Sequence, residues 1–339
     1  MRETLRNGEH GGALRQAADA HGIPVGEWID LSTGIAPWAW PVPLLPAECW
    51  QRLPEDGPHG DGLELIAAAH YGAPHILSVA GSQAAIRALP RLRPACRVAV
   101  AHGSYAEHAL AWFDAGHDVK ALPLAALPSA ADHADVVVLA TPDNPSGHKT
   151  DIATLLDMHA RLQRRGGWLV VDEAFLDAED EPSLAAHSDA EGLIVLRSLG
   201  KFFGLAGARV GFVCAPQPLL HNLCGALGAW TVSTPARFVA RHALSDASWQ
   251  RVQKLRLARA STHMATLLAR IGLTPTGGCR LFQWVTTPRA ANVAQALARH
   301  GVLVRHLPDP QALRFGLPAS HSDWQRLQGI LSNVMKETP

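Results

Sequence analysis

In Gly192-Leu193-Ile194-Val195-Leu196-Arg197-Ser198-Leu199-Gly200-Lys201-Phe202-Phe203-Gly204-Leu205-Ala206-Gly207-Ala208-Arg209-Val210-Gly211, an apolar run leads through a lysine into a glycine-rich turn. The run Gly192 to Leu196 reads as a buried strand. A lysine between such a strand and a compact turn sits where burial disfavours the ammonium form. A neutral lysine amine can form a Schiff base with an aldehyde cofactor. Alone, a loop lysine is more often solvated, so the weight falls on the neighbouring segments.

The first is Val170-Val171-Asp172-Glu173-Ala174-Phe175. Trp168 to Val171 reads as a second buried strand, with Asp172 at its carboxyl end, where open α/β sheets bind ligands. A carboxylate there can pair with a protonated pyridine nitrogen and keep the ring electron-poor. It can equally be a helix N-cap. The second is Thr141-Pro142-Asp143-Asn144-Pro145-Ser146-Gly147, a rigid turn after the apolar run Val136 to Ala140. It holds the Asn144 amide in one direction, able to donate to a phenolic oxygen on a ring; turn chemistry alone would also account for it. The third is Ala80-Gly81-Ser82-Gln83, a small turn opening an alanine-rich helix. Free backbone N–H groups at a helix start suit a phosphate, although many helices begin this way.

In combination these segments resemble the class I/II aminotransferase family of pyridoxal-phosphate enzymes, the fold-type I superfamily, over essentially the whole chain. The resemblance implies an α/β fold with a mainly parallel central sheet flanked by helices and a smaller α/β domain. It implies that Lys201 is the Schiff-base lysine, that Asp172 binds the pyridine nitrogen and that Asn144 binds the ring hydroxyl. Gly81, Ser82, Ser198 and Arg209 line up with the cofactor phosphate, Gln83 counts among the cofactor-binding residues, and Tyr105, in His102-Gly103-Ser104-Tyr105, lines up with the ring. Arg314, in Leu313-Arg314-Phe315-Gly316, matches the arginine that binds a substrate carboxylate, a task suited to a planar fork.

Within the superfamily the chain looks most like the threonine-phosphate decarboxylases of cobalamin biosynthesis. His10-Gly11-Gly12, Ile29-Asp30-Leu31-Ser32-Thr33-Gly34-Ile35-Ala36-Pro37-Trp38, the Lys201 segment and Gly228-Ala229-Trp230-Thr231-Val232-Ser233 carry that likeness. It implies decarboxylation of L-threonine O-3-phosphate to (R)-1-amino-2-propanol O-2-phosphate. His10, Gly11, Gly12, Gly34, Asn144 and Arg314 are then the substrate-side residues. Histidinol-phosphate aminotransferases share the scheme and are the nearest alternative; a non-catalytic binding protein on this fold is a third. Because family sites usually form between subunits, a homodimer is implied.

Three departures bear on the cofactor. Phe175 stands where the superfamily often has a tyrosine that bonds the ring hydroxyl. Leu53-Pro54 replaces a Tyr-Pro that often reaches the neighbouring subunit's phosphate. Gly200 replaces a hydroxyl residue before the lysine. Phosphate binding then leans on Ser82, Ser198, Arg209 and backbone amides.

Thirty basic and thirty acidic side chains among 339 residues give no charge excess calling for nucleic acid or an anionic membrane. The length exceeds one typical core. Five scattered cysteines, none in a Cys-x-x-Cys pair, indicate neither a disulfide framework nor a zinc knot, and reduced thiols in the cytoplasm are the simple reading. Eighteen histidines show no tight ligand spacing, so no metal is expected. The first ten residues lack the apolar run of a signal peptide. Val210 to Ala236 carries no Asp, Glu, Lys or Arg, but its three prolines argue against a spanning helix and for a strand, a turn and a helix.

Strands are expected at Arg97 to Ala101, Asp135 to Ala140, Trp168 to Val171, Leu193 to Leu196 and Arg209 to Cys214, alternating with helices. Ala36 to Pro46 reads as an irregular connector. After about Arg241 come long helices and strands at Phe282 to Thr286, Val302 to His306 and Leu313 to Gly316, with Gly277-Gly278 preceding one of them. The expected division is an N-terminal segment, 1–40, joining the small domain; a cofactor domain, 41–240; and a small domain, 241–339.

Overall fold

A computed structural model describes residues 11–57 and 59–337. Among the described residues, thirteen strands form three sheets. They are β1 (Ile29–Asp30), β2 (Ile76–Val79), β3 (Arg97–Ala101), β4 (Asp118–Leu122), β5 (Val136–Ala140), β6 (Trp168–Asp172) and β7 (Leu193–Ser198). The remainder are β8 (Gly211–Cys214), β9 (Gly277–Cys279), β10 (Phe282–Thr286), β11 (Val302–Leu303), β12 (Arg305–Pro308) and β13 (Gln311–Phe315).

The central sheet has the order β2-β8-β7-β6-β5-β3-β4. The pairings among β4, β3, β5, β6 and β7 are parallel, whereas β8 runs antiparallel to both β7 and β2. The middle strands are buried along almost their whole length because helices cover both faces, which is why they read as unbroken apolar runs. The covering helix Ile152–Gln163 starts cleanly because Asp151 Oδ1 accepts the Thr154 N–H at 2.9 Å.

One edge of this sheet collects the ends that matter. The carboxyl ends of β3, β5, β6 and β7 lie along it. Since β8 is antiparallel to β7, its amino end lies there too, and β2, reversed again, ends there as well. Each connection at that edge carries one of the residues singled out above.

The second sheet, β12-β13-β10-β9, is antiparallel throughout. The helices Ala247–Arg270, Ala290–Arg299 and His321–Glu337 contribute Leu257, Leu268, Val293, Leu297, Leu327 and Leu331 to the core it shares. β1 pairs in parallel with β11, Ile29 opposite Val302, so the N-terminal segment is tied to the C-terminal half.

The structure corrects several boundaries. The strand expected from Arg209 starts at Gly211, because Arg209 adopts a left-handed φ of 53° that ends strand geometry. Val302 to His306 is two strands, broken at Val304 so that β11 pairs with β1 and β12 with β13. Gly277 and Gly278 precede β10, as expected, and themselves form part of a further short strand, β9, opposite Trp284 and Gln283. The Lys201 strand continues through Ser198. Val210 to Ala236 contains β8, the helix Gln217–Leu227 and the start of Thr234–Ser245. Among the described residues, no helix is long and apolar enough to cross a membrane.

Candidate active site

Lys201 stands just beyond the end of β7, partly buried, beside a cavity of about 230 Å³. Burial and, second, the nearby Arg314 guanidinium lower its ammonium to about 8, against a partial opposing pull from Asp172. Nζ lies 5.6 Å from the centre of the Phe175 ring. Thus the aromatic that replaces the expected tyrosine forms an apolar wall at the amine. The lysine's backbone is held from the N-terminal segment, with Ala36 N–H donating to Lys201 O at 2.9 Å.

Asp172 ends β6 and is 6% exposed. Its Oδ1 accepts the Ala174 N–H and its Oδ2 faces His108 Nε2 at 3.0 Å. His108 was not singled out in the sequence. It lies three residues after Tyr105, one helical turn on, and this spacing is the signal that places both on the sheet side of helix Ala106–Asp114. Tyr105 lines the cavity and donates from its hydroxyl to Gln83 Oε1 at 3.1 Å, while Gln83 donates to Glu107 Oε2 at 2.6 Å. Burial, then Glu107, pushes the Tyr105 phenol up to about 12, so it remains a neutral donor.

Gly81 precedes the helix Ser82–Ala88 with φ 72°, and a Cβ there would meet Arg209 Nη2 at 2.6 Å. A Cβ on Gly211 would lie 2.4 Å from Ser82 N. Both glycines therefore let the β8 segment close on the helix start, bringing Ser82, Arg209 and, from β7, Ser198 to the same part of the cavity.

Asn144 lies in the turn after β5. Its Oδ1 accepts from Arg314 Nη1 at 2.7 Å and from Arg305 Nη1 at 3.2 Å, which leaves the side-chain N–H groups for a ligand. Arg314 also donates to Ser32 O at 2.5 Å. Arg305 escaped the sequence reading; only sheet pairing reveals it, because it is the register partner of Arg314. Both guanidiniums are buried, at 2% and 7% exposure, and neither forms an ion pair among the described residues. Burial, and then Arg305, brings Arg314 down to about 9; burial also lowers Arg305.

Gly11 lines the cavity, close to Ser32 O, whereas the Gly12 N–H is already committed to Ser32 Oγ at 2.8 Å. Gly34, at φ 62°, stands behind Arg314: a Cβ there would press on Phe282 at 3.2 Å and approach Arg314 Cζ at 3.6 Å. Thr33 and Ile35, not Gly34 itself, reach the cavity. His10 lies outside the described residues. Among those residues no group of three or more His, Cys, Asp and Glu side chains could hold a metal ion.

The family model for aminotransferase class I and II matches residues 64–329. The chain belongs to that family. It is 52% identical over 323 residues to a threonine-phosphate decarboxylase of Pseudomonas aeruginosa, covering 95% of this chain and 97% of that one. It is 38% identical over 330 residues to a threonine-phosphate decarboxylase of Sinorhizobium sp., covering 96% and 98%. Its fold matches the histidinol-phosphate aminotransferase of Sinorhizobium meliloti in complex with pyridoxal-5'-phosphate, with TM-score 0.74, 21% identity, and 96% and 86% of the two chains covered.

The cavity passes the chemical test for the cofactor of this family. It offers a partly buried amine of lowered basicity, a buried carboxylate, an amide whose oxygen is occupied, and a cradle between Gly81 and Arg209 that a Cβ would fill. Pyridoxal phosphate is the cofactor of this family.

Proposed function

We propose that this enzyme removes the carboxylate of L-threonine O-3-phosphate as CO₂ and yields (R)-1-amino-2-propanol O-2-phosphate, the linker used in the cobalamin nucleotide loop. The observation that carries the reading is the pair of buried arginines at the cavity, Arg305 and Arg314, each without an acid partner among the described residues. Two such cations suit a substrate with two anionic groups, and threonine phosphate has a carboxylate and a phosphate. The full-length likeness to two threonine-phosphate decarboxylases supports the same substrate.

Bound pyridoxal phosphate supplies an electron sink for the pair left when a bond to Cα breaks. Lys201 holds it through Nζ, Asp172 is assigned to its pyridine nitrogen and Asn144 to its ring hydroxyl. Gly81, Ser82, Ser198 and Arg209 are assigned to its phosphate, with Tyr105 and Gln83 beside them. His108 keeps the Asp172 carboxylate oriented. Arg314 takes the substrate carboxylate and Arg305 its phosphate; Gly11 and the Thr33–Ile35 segment border the same space. Fixing both ends of a small substrate selects which Cα bond is presented for cleavage, which is catalysis by orientation. Lys201 Nζ, with its ammonium lowered to about 8, can carry the proton that replaces the carboxylate at Cα.

The same reading makes the protein a cytoplasmic homodimer divided at about residues 40 and 240. An apolar groove of 730 Å³ bordered by Val42, Trp50, Leu53 and Trp230 supports the second copy, since these large side chains are at least half exposed to solvent. Phosphorus NMR of L-threonine O-3-phosphate incubated with reconstituted protein tests the substrate. Conversion of its resonance to that of the amine phosphate is expected, and an unchanged resonance would reject the reading.

A further inference from the structure

Asp143 precedes Asn144 in the turn after β5 and is only 4% exposed, yet no cation pairs with it among the described residues. Three donors converge on its carboxylate. Ser146 gives its hydroxyl to Oδ2 at 2.6 Å and its N–H to the same oxygen at 3.2 Å. Those bonds alone would be ordinary turn chemistry. The third is different: Ser104, 39 residues away in sequence, donates its hydroxyl to Oδ1 at 2.5 Å.

Ser104 adjoins Tyr105, whose hydroxyl holds Gln83, and the helix that follows carries His108 against Asp172. The Asn144 turn is closed on itself by Asp143 N–H to His148 O and Gly147 N–H to Asp143 O, both 2.8 Å. The Ser104–Asp143 bond therefore joins a closed turn to the segment that reaches Gln83, on the helix after β2, and Asp172, on β6. We propose that Asp143 is a positioning residue: its carboxylate clamps the Asn144 turn to the Ser104–Tyr105 segment, so Asn144 and Tyr105 are held in fixed relation to bound pyridoxal phosphate. The chemistry explains why an acid stands there. A carboxylate only accepts, matching three donors, whereas an amide would set an N–H against one of them. The Ser146 N–H cannot turn away; a hydroxyl can.

The inference rests on pyridoxal phosphate occupying this cavity, and the experiment separates the two. Apoprotein of the wild type and of Asp143→Asn, Ser104→Ala and Ser104→Thr is titrated with pyridoxal phosphate by tryptophan fluorescence. The pH midpoint of the bound cofactor's visible absorbance is then recorded. Asp143→Asn and Ser104→Ala should each bind about tenfold more weakly, the scale of one lost hydrogen bond to a charged group, and should shift the absorbance midpoint. Ser104→Thr, which keeps the hydroxyl, should restore both. A merely structural role would lower the apoprotein melting temperature but leave affinity and midpoint at wild-type values in the folded fraction, and that result overturns the proposal. Should Asp143→Asn fail to fold, the two Ser104 variants decide alone. Wild-type protein without cofactor-dependent absorbance would instead remove the reading on which the proposal stands.

Discussion

Arg305 and Arg314 stand directly opposite each other on β12 and β13, and both guanidiniums donate to one atom, Asn144 Oδ1. Like charges in opposed positions of a sheet destabilise it, and burial removes the water that would screen them. The pair is an arrangement whose tension an anionic ligand relieves. It also ties β12 and β13 to the Asn144 turn after β5.

Arg314→Gln should therefore lower kcat/KM for threonine phosphate by about 100-fold or more, since it leaves a buried substrate carboxylate without its cation. Affinity for pyridoxal phosphate should change far less. Steady-state kinetics beside a cofactor titration checks both; equal losses in the two would assign Arg314 to the cofactor instead.

Arg305→Met should trade function for stability. Removing one of two facing buried charges should stabilise the apoprotein by about 1 kcal/mol in urea unfolding. The KM for threonine phosphate should rise at least about tenfold, with little change in the weak binding of unphosphorylated threonine. A uniform loss for both ligands would place the substrate phosphate elsewhere.

Lys201 makes a pH prediction. With its ammonium lowered to about 8, the reactive neutral amine accumulates as pH rises through 8, not through the usual lysine value of 10.5. The rate at which apoprotein combines with pyridoxal phosphate should follow that rise and level off above it. Positive neighbours favour the neutral amine, so Arg314→Gln should move the midpoint upward. Stopped-flow absorbance across pH 6 to 10 provides the curve.

Beneath the site, Arg197 is buried between Glu173, at 2.5 Å, and Asp177, and its guanidinium lies over the Tyr71 ring. Glu173 and Arg197 adjoin Asp172 and Ser198 on neighbouring strands. Glu173→Gln leaves the guanidinium short of one counter-charge and should cost about 3 kcal/mol in apoprotein stability, read by urea denaturation. A change below 0.5 kcal/mol would show that Asp177 alone satisfies the arginine.

The legible parts of the fold were those with local signals. β5, β6 and β7 are buried on both faces, so they appear as apolar runs, and the Asn144, Asp172 and Lys201 residues stand at or just beyond their ends. The edge strands β2 and β4 were missed. β4, Asp118–Leu122, has Asp and Lys on its exposed face, and β2 is only four residues long. Arg209 was expected inside a strand because dihedral angles are invisible in an apolar context; its left-handed φ instead places it at the Gly81 turn. Arg305 and His108 depend on pairing between distant segments. His108 had a spacing clue, whereas Arg305 had none until β12 met β13. Gly12 is expected on the substrate side, and its N–H is taken by Ser32, a contact 20 residues away.

The central claim is decarboxylation, and one assay tests it most directly. Purified protein loaded with pyridoxal phosphate is given L-threonine O-3-phosphate without any 2-oxo acid, and CO₂ and amine phosphate are measured together. The account predicts CO₂ release with one equivalent of amine phosphate. No CO₂, with amino transfer appearing once a 2-oxo acid is added, would contradict it and make the enzyme an aminotransferase.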